Sequence, residues 1–506
     1  MRRVKGLKFL IFCGLITING GCAVLQPTAS IKTTDEIPAV AREFRAAWVA
    51  TAANIDWPSK PGLTTAEQKR QALEILDAAG ELHLNAIVFQ VRPQCDALYA
   101  SEIEPWSFYL TGQQGKAPEP YYDPLEFWIE QAHNRGMELH AWFNPYRAHH
   151  PSGGKVTDTS AVRRHPEIVK ALQGGYYWLD PALKETQDYS IDVVMDVVRR
   201  YDVDGIHFDD YFYPYRDYNG GRDFPDDDTW RDYKDKGGKL PRNDWRRDAV
   251  NRFIRRLYQA IKKEKRHVKF GLSPFGIWRP GYPESIQGLD QYDVLYADAK
   301  LWFNKGWVDY WTPQLYWPVN QIPQSFPVLL GWWAQENKKN RNFWPGINTG
   351  RGINEYGADE NINQIMIIRG FLPESPGHVH FSMKTLLRNR HGVSDALKAG
   401  PYKEQALVPP SPWLDNKPPA PPQVEIKVQD DELAISLGHD NEAEVFRWVV
   451  YTKQGGRWRY EILNRHDHTY TAAKQQVTRI AVSAVDRTGN ESSRTLVALD
   501  ATIDDN

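Results

Sequence analysis

Strand-like apolar runs alternate with helical runs over most of the chain. Eight such strand runs can be identified, and helical stretches separate them. They are Phe44–Thr51, Ala86–Pro93, Glu138–Tyr146, Val203–Tyr211, Lys269–Gly276, Asp309–Trp317, Asn342–Gly350 and His378–Met383. This alternation predicts an α/β protein with a (β/α)8 barrel, and a doubly wound sheet is the alternative.

The segments between these runs carry helix signals. Thr64 to Glu67 makes a capping box before an amphipathic helix that ends near Leu84. Asp123 and Pro124 supply an N-cap and a first-turn proline to a second helix. Further helical stretches are Asp192–Tyr201, Asp244–Lys265, Tyr292–Asn304, Phe326–Asn337 and Asn361–Phe371.

Polar residues interrupt four of the strand runs in an alternating pattern. The pattern occurs in Val88–Arg92, His140–Asn144, Ile206–Asp209 and Thr312–Tyr316. Side chains alternate between the two faces of a strand, so we expect apolar residues to face the helices and polar residues to face the barrel axis. The polar residues cluster at the C-terminal ends of the strands, where barrel enzymes carry their active sites.

The fourth strand run ends in the most informative segment, Asp204 to Pro214. Alternation places His207, Asp209 and Tyr211 on the axial face and directs Asp210 elsewhere. A carboxylate at a barrel strand end, flanked by aromatic residues, suits the nucleophile or base of a glycosidase. The structural alternative is that one of these aspartates caps the following loop.

Composition narrows the class of protein. The chain has 506 residues, with 62 Lys and Arg against 64 Asp and Glu, so its charge balance argues against a nucleic-acid partner. It contains 19 Trp and 25 Tyr, side chains that suit a ligand with apolar faces and polar edges, such as a sugar.

Other chemistries receive less support from the sequence. The chain has no nucleophile elbow and no phosphate-binding glycine loop after a strand. A metal site built from His378, His380, His207 and His140 is disfavoured, because the first strand offers Trp48 instead of a histidine pair. We therefore expect no metal and no cofactor.

The first 22 residues resemble a bacterial lipoprotein signal. A positively charged start precedes an apolar stretch, Leu7 to Ile18, which is too short to span a bilayer and is followed by Cys22. The resemblance implies lipidation of Cys22, a tether over residues 23–42, and a location at the outer membrane facing the periplasm. Simple secretion is the alternative. Cys95 is then left without an internal partner, so we expect it to be a packing residue.

A proline-rich linker over residues 406–422 precedes a region with short β runs, residues 423–506. These runs predict a small β-sandwich, and the segment Ala484 to Ser492 resembles the end of a fibronectin type III domain. The runs are Val424–Val428, Glu432–Leu437, Phe446–Thr452, Arg457–Ile462 and Thr478–Val485.

The region before the linker, residues 43–405, resembles the glycosyl-hydrolase-like family 10 lipoproteins. The resemblance covers about residues 43–390 and rests on segments that occur in order: Arg45–Thr51, Phe89–Pro93, His140–Arg147, Asp204–Tyr213, Ser273–Arg279 and Pro313–Pro318. It implies a TIM barrel distantly related to the α-amylase clan. It also implies a hydrolase of cell-wall glycan, acting on peptidoglycan strands that lack stem peptides by a two-carboxylate mechanism.

The resemblance maps the clan nucleophile onto Asp209 but leaves the general acid open. The clan acid is a Glu that closes the fifth strand, where this chain has Ser273-Pro274-Phe275. The candidates for the acid are Asp298, Asp210, Glu102 and Glu104. A barrel without an acid would instead be a non-catalytic glycan-binding lipoprotein, which is the alternative function.

The remaining candidate residues would bind the glycan substrate. Arg92 or Arg147 would meet the lactyl carboxylate of muramic acid, because a guanidinium fork matches a carboxylate. Trp278 and Trp317 are candidate sugar platforms. The other candidates for contacts with sugar hydroxyls are Gln90, Asn144, Tyr146, His207, Tyr211, Gln314 and Tyr316.

Overall fold

The structure is a computed structural model that describes residues 36–429 and 431–499. The predicted signal and the lipidation site Cys22 lie outside the described residues. Among the described helices, none is both long and apolar enough to cross a bilayer.

The predicted barrel is confirmed. All eight predicted strands form, and each pairs in parallel with its neighbour along the chain. The last strand pairs in parallel with the first through Ala46 and Val379, which closes the sheet and excludes the doubly wound alternative. The strands are Phe44–Val49 (β1), Ala86–Arg92 (β2), Glu138–Phe143 (β3), Gly205–Phe208 (β4), Lys269–Leu272 (β5), Tyr310–Trp311 (β6), Asn342–Phe343 with Gly346–Ile347 (β7) and Gly377–His380 (β8).

Strand β7 consists of two short segments. Pro345 has no N–H group for the ladder, so the strand divides around it. The first segment pairs with β6 and the second with β8. The sheet stays continuous across this break through two backbone hydrogen bonds. Trp344 donates to the Trp311 carbonyl, and Val379 donates to the Pro345 carbonyl.

The helices surround this sheet. Helix α1 begins with the predicted capping box of Thr64 and Glu67, and α3 with the predicted Asp123 cap. The long α7 buries Val250, Ile254 and other apolar residues of one stripe. The helices are Thr65–Glu81 (α1), Phe108–Thr111 (α2), Pro124–His133 (α3), Ala161–Arg164 (α4), Lys184–Arg200 (α5), Asp227–Asp235 (α6), Arg242–Glu264 (α7), Gln291–Val294 (α8), Ala299–Lys305 (α9), Phe326–Gln335 (α10), Thr349–Tyr356 (α11), Ala358–Phe371 (α12), Met383–Leu387 (α13) and Val393–Ala399 (α14).

Two cores follow from the alternation of side chains along the strands. The outer core joins the outward residues of the strands, such as Phe89 and Phe208, to the helices. The inner cluster fills the barrel with aromatic and small residues, among them Trp48, Trp142 and Tyr310. The barrel is therefore a packed structure whose open end is formed by the residues that follow the strands.

Two antiparallel sheets make up the C-terminal region and share one apolar core, which confirms the predicted all-β domain. The sequence patterns missed the fifth and seventh of these strands, which are short and amphipathic. The strands are Gln423–Gln429 (β9), Glu432–Gly438 (β10), Arg447–Gln454 (β11), Arg457–Asn464 (β12), Thr469–Ala473 (β13), Val477–Val485 (β14) and Thr495–Ala498 (β15).

The C-terminal domain and the proline-rich segment before it cover the N-terminal end of the barrel, which we call the floor. Arg487 binds Asp204, the residue before β4, at 2.8 Å. Trp413 donates its indole N–H to Asp309, the residue before β6, at 2.9 Å. The predicted proline-rich linker thus packs against the floor of the barrel. The opposite end, which we call the mouth, is not covered by this domain.

Candidate active site

Asp209 directly follows β4 at the barrel mouth, and its side chain is 4% exposed. The indole N–H of Trp142, on β3, donates to Asp209 Oδ2 at 3.1 Å. The other carboxylate oxygen, Oδ1, is buried and has no hydrogen-bond partner. An unpartnered buried acceptor is costly, so this oxygen is available for a bound group.

The surroundings of Asp209 favour its protonated form. Burial raises its pKa to about 8, and the neighbouring charge of Asp210 adds to the rise. Arg147 and the hydrogen bond from Trp142 oppose this rise without cancelling it. A carboxyl that keeps its proton near neutral pH can act as a general acid.

Asp210 also belongs to the site, contrary to the sequence prediction that it points elsewhere. It is 5% exposed, and the hydroxyl of Tyr215 donates to its Oδ2. Burial raises its pKa, whereas hydrogen bonds from Tyr215 and Gln314 and the charge of Arg147 oppose the rise. The β4 strand is shorter than predicted, so strict alternation stops at Phe208 and both aspartates reach the mouth.

Arg147 supplies the positive charge of this site. Its Nε and Nη2 donate to the Pro93 carbonyl at 3.0 and 2.7 Å, which fixes the guanidinium. The guanidinium lies over the ring of Tyr211, 4.8 Å from its centroid. It lowers the pKa of both aspartates, so it lies within electrostatic reach of each.

Three further predicted residues border the same opening. Burial and then the charges of Asp210 and Asp209 raise the pKa of Tyr316, which places it beside the pair. Gln314 donates to the Ser273 carbonyl at 2.9 Å and also acts to lower the pKa of Asp210, which places its amide near that carboxylate. Asn144 accepts from the Arg147 backbone at 3.1 Å, and its buried Nδ2 has no hydrogen-bond partner.

A cluster of tyrosines extends the site, and sequence reasoning found only one of its members. This tyrosine cluster comprises Tyr176, Tyr211, Tyr215 and Tyr218, all half-buried. The rings of Tyr176 and Tyr218 stack with centroids 4.4 Å apart, and Tyr218 lies 6.3 Å from Tyr211. Tyr176 comes from a loop inserted after β3, and the others follow β4, so no local pattern joins them.

Two loops hold this tyrosine stack in place. The backbone N–H of Gln173 donates to Asn219 Oδ1 at 2.9 Å. The Gly174 N–H donates to the Tyr218 carbonyl at 3.2 Å, and a Cβ at Gly174 would come within 3.1 Å of that oxygen. The close approach of the loops therefore requires a glycine at this position.

Arg92 is committed to an internal ion pair and does not reach the mouth. Its Nε donates to Glu104 at 2.7 Å, and it is 1% exposed. Glu104 also accepts from Tyr189 at 2.8 Å. The predicted contact of Arg92 with a muramic acid carboxylate, and the predicted acid role of Glu104, are therefore not supported, since each group neutralises the other.

His207 and Gln90 are also held by internal hydrogen bonds. The ring of His207 contacts Tyr310 OH at 2.9 Å and Ser273 Oγ at 2.9 Å inside the barrel. Gln90 Oε1 accepts from the backbone N–H groups of Thr51 and of the next residue, each at 2.9 Å. Both side chains are axial, as alternation predicts, but they stabilise the barrel interior.

Tyr146 and Asp298 have structural partners of their own. The ring of Tyr146 packs in the outer core against Phe253 of α7, with centroids 5.1 Å apart. Asp298 is the N-cap of α9 and accepts from the Leu301 N–H at 3.2 Å. Burial raises the Asp298 pKa, but its capping role accounts for the carboxylate. Glu102 is exposed.

The two predicted platforms are half-buried and have aromatic neighbours. Trp278 stacks on Trp332 at 5.9 Å beneath Lys300, whose Nζ lies 4.9 Å from its centroid. Trp317 packs edge-on against Phe275, which follows β5, at 5.5 Å. Of the two, Trp317 belongs to the segment that also carries Gln314.

The histidines considered as metal ligands have tyrosine partners. His378 and His380 both contact the hydroxyl of Tyr402, and His140 contacts Tyr310 at 2.8 Å. Within residues 36–429 and 431–499, no group of three or more His, Cys, Asp or Glu side chains has the arrangement of a metal site. Each of these three histidines therefore has a tyrosine hydroxyl as a hydrogen-bond partner, and the buried Nδ1 of His378 has none.

Comparisons with known proteins agree with this architecture. Residues 43–362 match the model of the family described as glycosyl hydrolase-like 10. A protein named glycosyl hydrolase YngK from Bacillus subtilis (strain 168) is 38% identical over 486 residues, covering 89% of this chain and 92% of the relative. A protein named glycosyl hydrolase DigH from Escherichia coli (strain K12) is 34% identical over 372 residues, covering 70% of this chain and 82% of the relative.

Solved structures with a similar outline were also found. The catalytic domain of a Paenibacillus polymyxa β-amylase matches with a TM-score of 0.46 and 12% identity, over 72% of this chain and 98% of that one. The PgaB glycoside hydrolase domain from Bordetella bronchiseptica matches with a TM-score of 0.45 and 12% identity, over 70% of this chain and 98% of that one.

The barrel, the carboxyl groups at its mouth and the family match together define a glycoside hydrolase. The chain belongs to the glycosyl hydrolase-like 10 family, because the family model covers more than half of its length.

Proposed function

We propose that this glycoside hydrolase cleaves the glycan strands of peptidoglycan and prefers strands that lack stem peptides. The proposal rests on one observation, the buried Asp209 carboxyl whose Oδ1 has no partner, next to Asp210 and within reach of a cationic side chain. The family resemblance in the sequence segments supports this choice of glycan.

Asp209 and Asp210 are the two carboxylates of the proposed reaction. Asp209 keeps its proton because of its burial, so it can donate to the glycosidic oxygen of the leaving sugar. Burial raises the pKa of Asp210 as well, but the hydrogen bond from Tyr215 and the charge of Arg147 oppose that rise. We assign the anionic role to Asp210, because two adjacent carboxyl groups do not readily ionise together. In this proposal Asp209, which the resemblance implied as the nucleophile, is instead the acid of the pair. It takes the role for which Ser273-Pro274, directly after β5, offers no carboxyl group.

Arg147 and the tyrosine cluster provide the contacts that a peptidoglycan strand requires. The Arg147 guanidinium rests on Tyr211 and projects towards the pair, where it can bind the lactyl carboxylate of muramic acid. The half-buried Tyr211, Tyr215 and Tyr218 offer apolar ring surface and hydroxyl groups to sugars beyond the cleaved bond.

Digestion of defined strands tests this function. The purified protein is incubated with peptide-stripped glycan strands and with intact peptidoglycan, and the products are identified by mass spectrometry. We expect cleavage of the stripped strands, slower cleavage of intact material, and far less product from Asp209→Asn. Equal rates on both substrates would contradict the preference, and no cleavage of either would contradict the proposed substrate.

We also propose that Cys22 carries lipid and anchors the protein at the cell envelope, at the outer membrane facing the periplasm. The support is the sequence of the first 22 residues, which resembles a lipoprotein signal. Cys22→Ala should release the protein from the membrane fraction into the periplasm. Unchanged membrane association of that variant would contradict the anchor.

A further inference from the structure

The carboxylates that directly follow the barrel strands are few and come from two strand ends. Taking the four residues after each of the eight strands, only β2 and β4 contribute acidic side chains. These are Asp96 after β2, and the Asp209–Asp210 pair after β4. The other strand ends present amides, hydroxyls, prolines and aromatic rings.

Asp96 is also buried, and its Oδ1, like that of Asp209, has no hydrogen-bond partner. Its charge is not among the main influences on the pKa of Asp209, which are those of Asp210 and Arg147. The Oδ2 of Asp96 accepts from Gln94 Nε2 at 2.7 Å and from the Phe108 N–H at 3.3 Å. Asp56, further along the loop after β1, is held in the same way by Ser382 Oγ at 2.7 Å and by the Ala50 N–H at 2.9 Å.

Apart from Asp96, the pair therefore meets no carboxylate among the four residues that follow each of the other strands. A retaining glycosidase with an enzymatic nucleophile places two carboxylates on either side of the cleaved bond, roughly 5–5.5 Å apart. Here both carboxylates project from consecutive residues on one side of the mouth. The segment after β6 instead offers the amide of Gln314 and the phenol of Tyr316.

We propose that the nucleophile belongs to the substrate: the carbonyl oxygen of the 2-acetamido group on the sugar that loses its leaving group. This inference rests on the proposed function, because both sugars of a peptidoglycan strand carry that group. Asp209 acts as the general acid and base. Asp210 accepts the acetamide N–H and so orients the group towards the anomeric carbon. Substrate assistance of this kind is a known exception to the two-carboxylate scheme.

The two steps balance without any further reactant. In the first step, the acetamide oxygen forms a bond to the anomeric carbon while the glycosidic bond breaks, and the proton of Asp209 goes to the departing sugar oxygen. An oxazolinium ion remains, and Asp210 balances its charge. In the second step, water adds to the anomeric carbon and gives a proton to Asp209, and the acetamide is restored. Two inversions give net retention.

The surroundings of the two aspartates agree with Asp209 as the acid and Asp210 as the group that orients the acetamide. Burial holds the pKa of Asp209 near 8, so the proton needed in the first step is present at neutral pH. The Tyr215 hydroxyl donates to Asp210 Oδ2 and so orients that carboxylate. Burial raises the pKa of Asp210, and Tyr215, Gln314 and Arg147 oppose the rise. The unpartnered Oδ1 of Asp209 is the atom available to the glycosidic oxygen.

Substrates with altered acetamide groups test the inference on the unmodified enzyme. Peptide-stripped strands are compared with the same strands after removal or trifluoroacetylation of their N-acetyl groups. We expect turnover to fall by roughly 100-fold or more in both cases, because the loss of an intramolecular nucleophile removes a large effective concentration. The product should form with retained configuration, and a thiazoline analogue of the oxazolinium ion should inhibit competitively.

Three results would overturn the inference while leaving the glycosidase function intact. They are unchanged turnover of strands without acetyl groups, inversion of configuration, and a trapped glycosyl–enzyme ester. Failure to cleave natural strands would instead contradict the proposed function itself.

Variants separate the roles within the pair. An aryl glycoside with a good leaving group needs no acid, so it should restore the first step in Asp209→Asn but not in Asp210→Asn. Restoration of both variants, or of neither, would contradict the assigned roles. Glu264→Gln is the matched control, because Glu264 is the exposed last residue of α7 and binds Arg199, and it should cleave at the wild-type rate.

Discussion

The two ends of strand β4 carry aspartates with opposite surroundings. At the floor, Asp204 accepts from His133 Nε2 at 2.8 Å, from the Leu139 N–H at 2.8 Å and from Arg487 at 2.8 Å. At the mouth, Asp209 accepts one indole hydrogen bond and keeps one oxygen without a partner. Both carboxyls are almost fully buried, so burial alone cannot explain their difference.

Their pKa values diverge because of what surrounds each carboxyl. Burial raises the pKa of Asp204, but Arg487 and His133 overcome it and hold the pKa well below the usual range. Burial also raises the pKa of Asp209, and there the nearest acid, Asp210, adds to the rise and takes it to about 8. The charged groups at the floor therefore stabilise the fold, whereas Asp209 at the mouth keeps a proton that it can donate in catalysis.

The largest expected effects come from replacing the carboxylates of Asp209 and Asp204 by amides, which should change turnover and stability respectively. Asp209→Asn should lower turnover about 10²–10⁴-fold, the scale of general acid catalysis, while the protein still folds and binds glycan. Asp204→Asn should do the reverse, lowering the free energy of unfolding while the folded fraction retains its turnover. Initial rates and urea unfolding of both variants check this contrast. Wild-type turnover by Asp209→Asn would show that the mouth assignment is wrong.

Breaking the ion pair at the floor gives the next largest effect. Arg487→Ala leaves the Asp204 carboxylate buried with fewer partners, and the side chain of Asp204 is only 2% exposed. We expect a loss of about 3–5 kcal/mol in the free energy of unfolding, because breaking a buried pair leaves an uncompensated charge. Urea titration followed by tryptophan fluorescence measures the change.

An exposed ion pair provides the matched control for that variant. Arg199 binds Glu264 at 3.1 Å, with side chains 55% and 39% exposed. Arg199→Ala should cost less than about 1 kcal/mol, because solvent screens exposed pairs. Equal losses for Arg487→Ala and Arg199→Ala would mean that the C-terminal domain contributes little through the floor.

The pH dependence of activity follows from the same contrast. The folded pKa of Asp209 is raised, so its proton is held below about pH 8 and lost above it. We expect kcat/KM to fall about tenfold per pH unit above that value, since only the protonated enzyme can act as the acid. The lowered pKa of Asp204 acts on stability in the opposite direction, because its contribution is present at neutral pH and lost as pH falls into the acidic range.

Rate profiles on natural strands measure this alkaline limb. Unfolding must be monitored in parallel, so that lost activity is not confused with lost protein. A flat profile up to pH 10 would contradict the assignment of Asp209 as the acid.

The fold was predictable from the sequence because every barrel strand must bury its outward face against the surrounding helices. Outward side chains such as Phe89 and Phe208 must pack on helices, so apolar residues recur with the period of a strand. The same pattern also indicated Asp209 at the end of β4. Periodicity failed only locally, as at Pro345, where a missing N–H group divides β7.

The rest of the site depends on contacts between distant segments. Tyr176 meets Tyr218 only because two loops dock through Gln173 and Asn219, and no spacing in the sequence encodes that contact. Sequence reasoning missed Tyr176 but included Arg92, which it assigned to an acidic substrate. The structure shows that Arg92 instead binds the buried Glu104. Arg92 and Arg147 differ in this respect, because Arg92 is neutralised by the carboxylate of Glu104, whereas Arg147 donates to an uncharged carbonyl. A charge at a strand end indicates function when no opposite charge inside the protein neutralises it.

The smallest expected effect concerns Arg147. This residue is held by an internal hydrogen bond, as the charged groups at the floor are, and it also acts on the carboxyl pair at the mouth. One edge of its guanidinium is bound to the Pro93 carbonyl, as a structural arginine would be, and its charge also acts on the carboxyl pair. If the remaining N–H groups bind the lactyl carboxylate, strands in which that carboxylate is reduced to an alcohol should show a higher KM. We expect about a tenfold increase, near the lower limit for hydrogen bonds to charged groups.

The variant Arg147→Lys keeps the charge but loses the planar fork, so it should discriminate poorly between natural and reduced strands. Its kcat on reduced strands should stay close to that of the wild-type enzyme, because the positive charge beside Asp209 and Asp210 remains. A variant that loses kcat equally on both substrates would show that Arg147 serves only to maintain the loop after β3. If the wild-type enzyme does not distinguish the two strands, the muramic acid contact is wrong, even though the barrel still cleaves glycan.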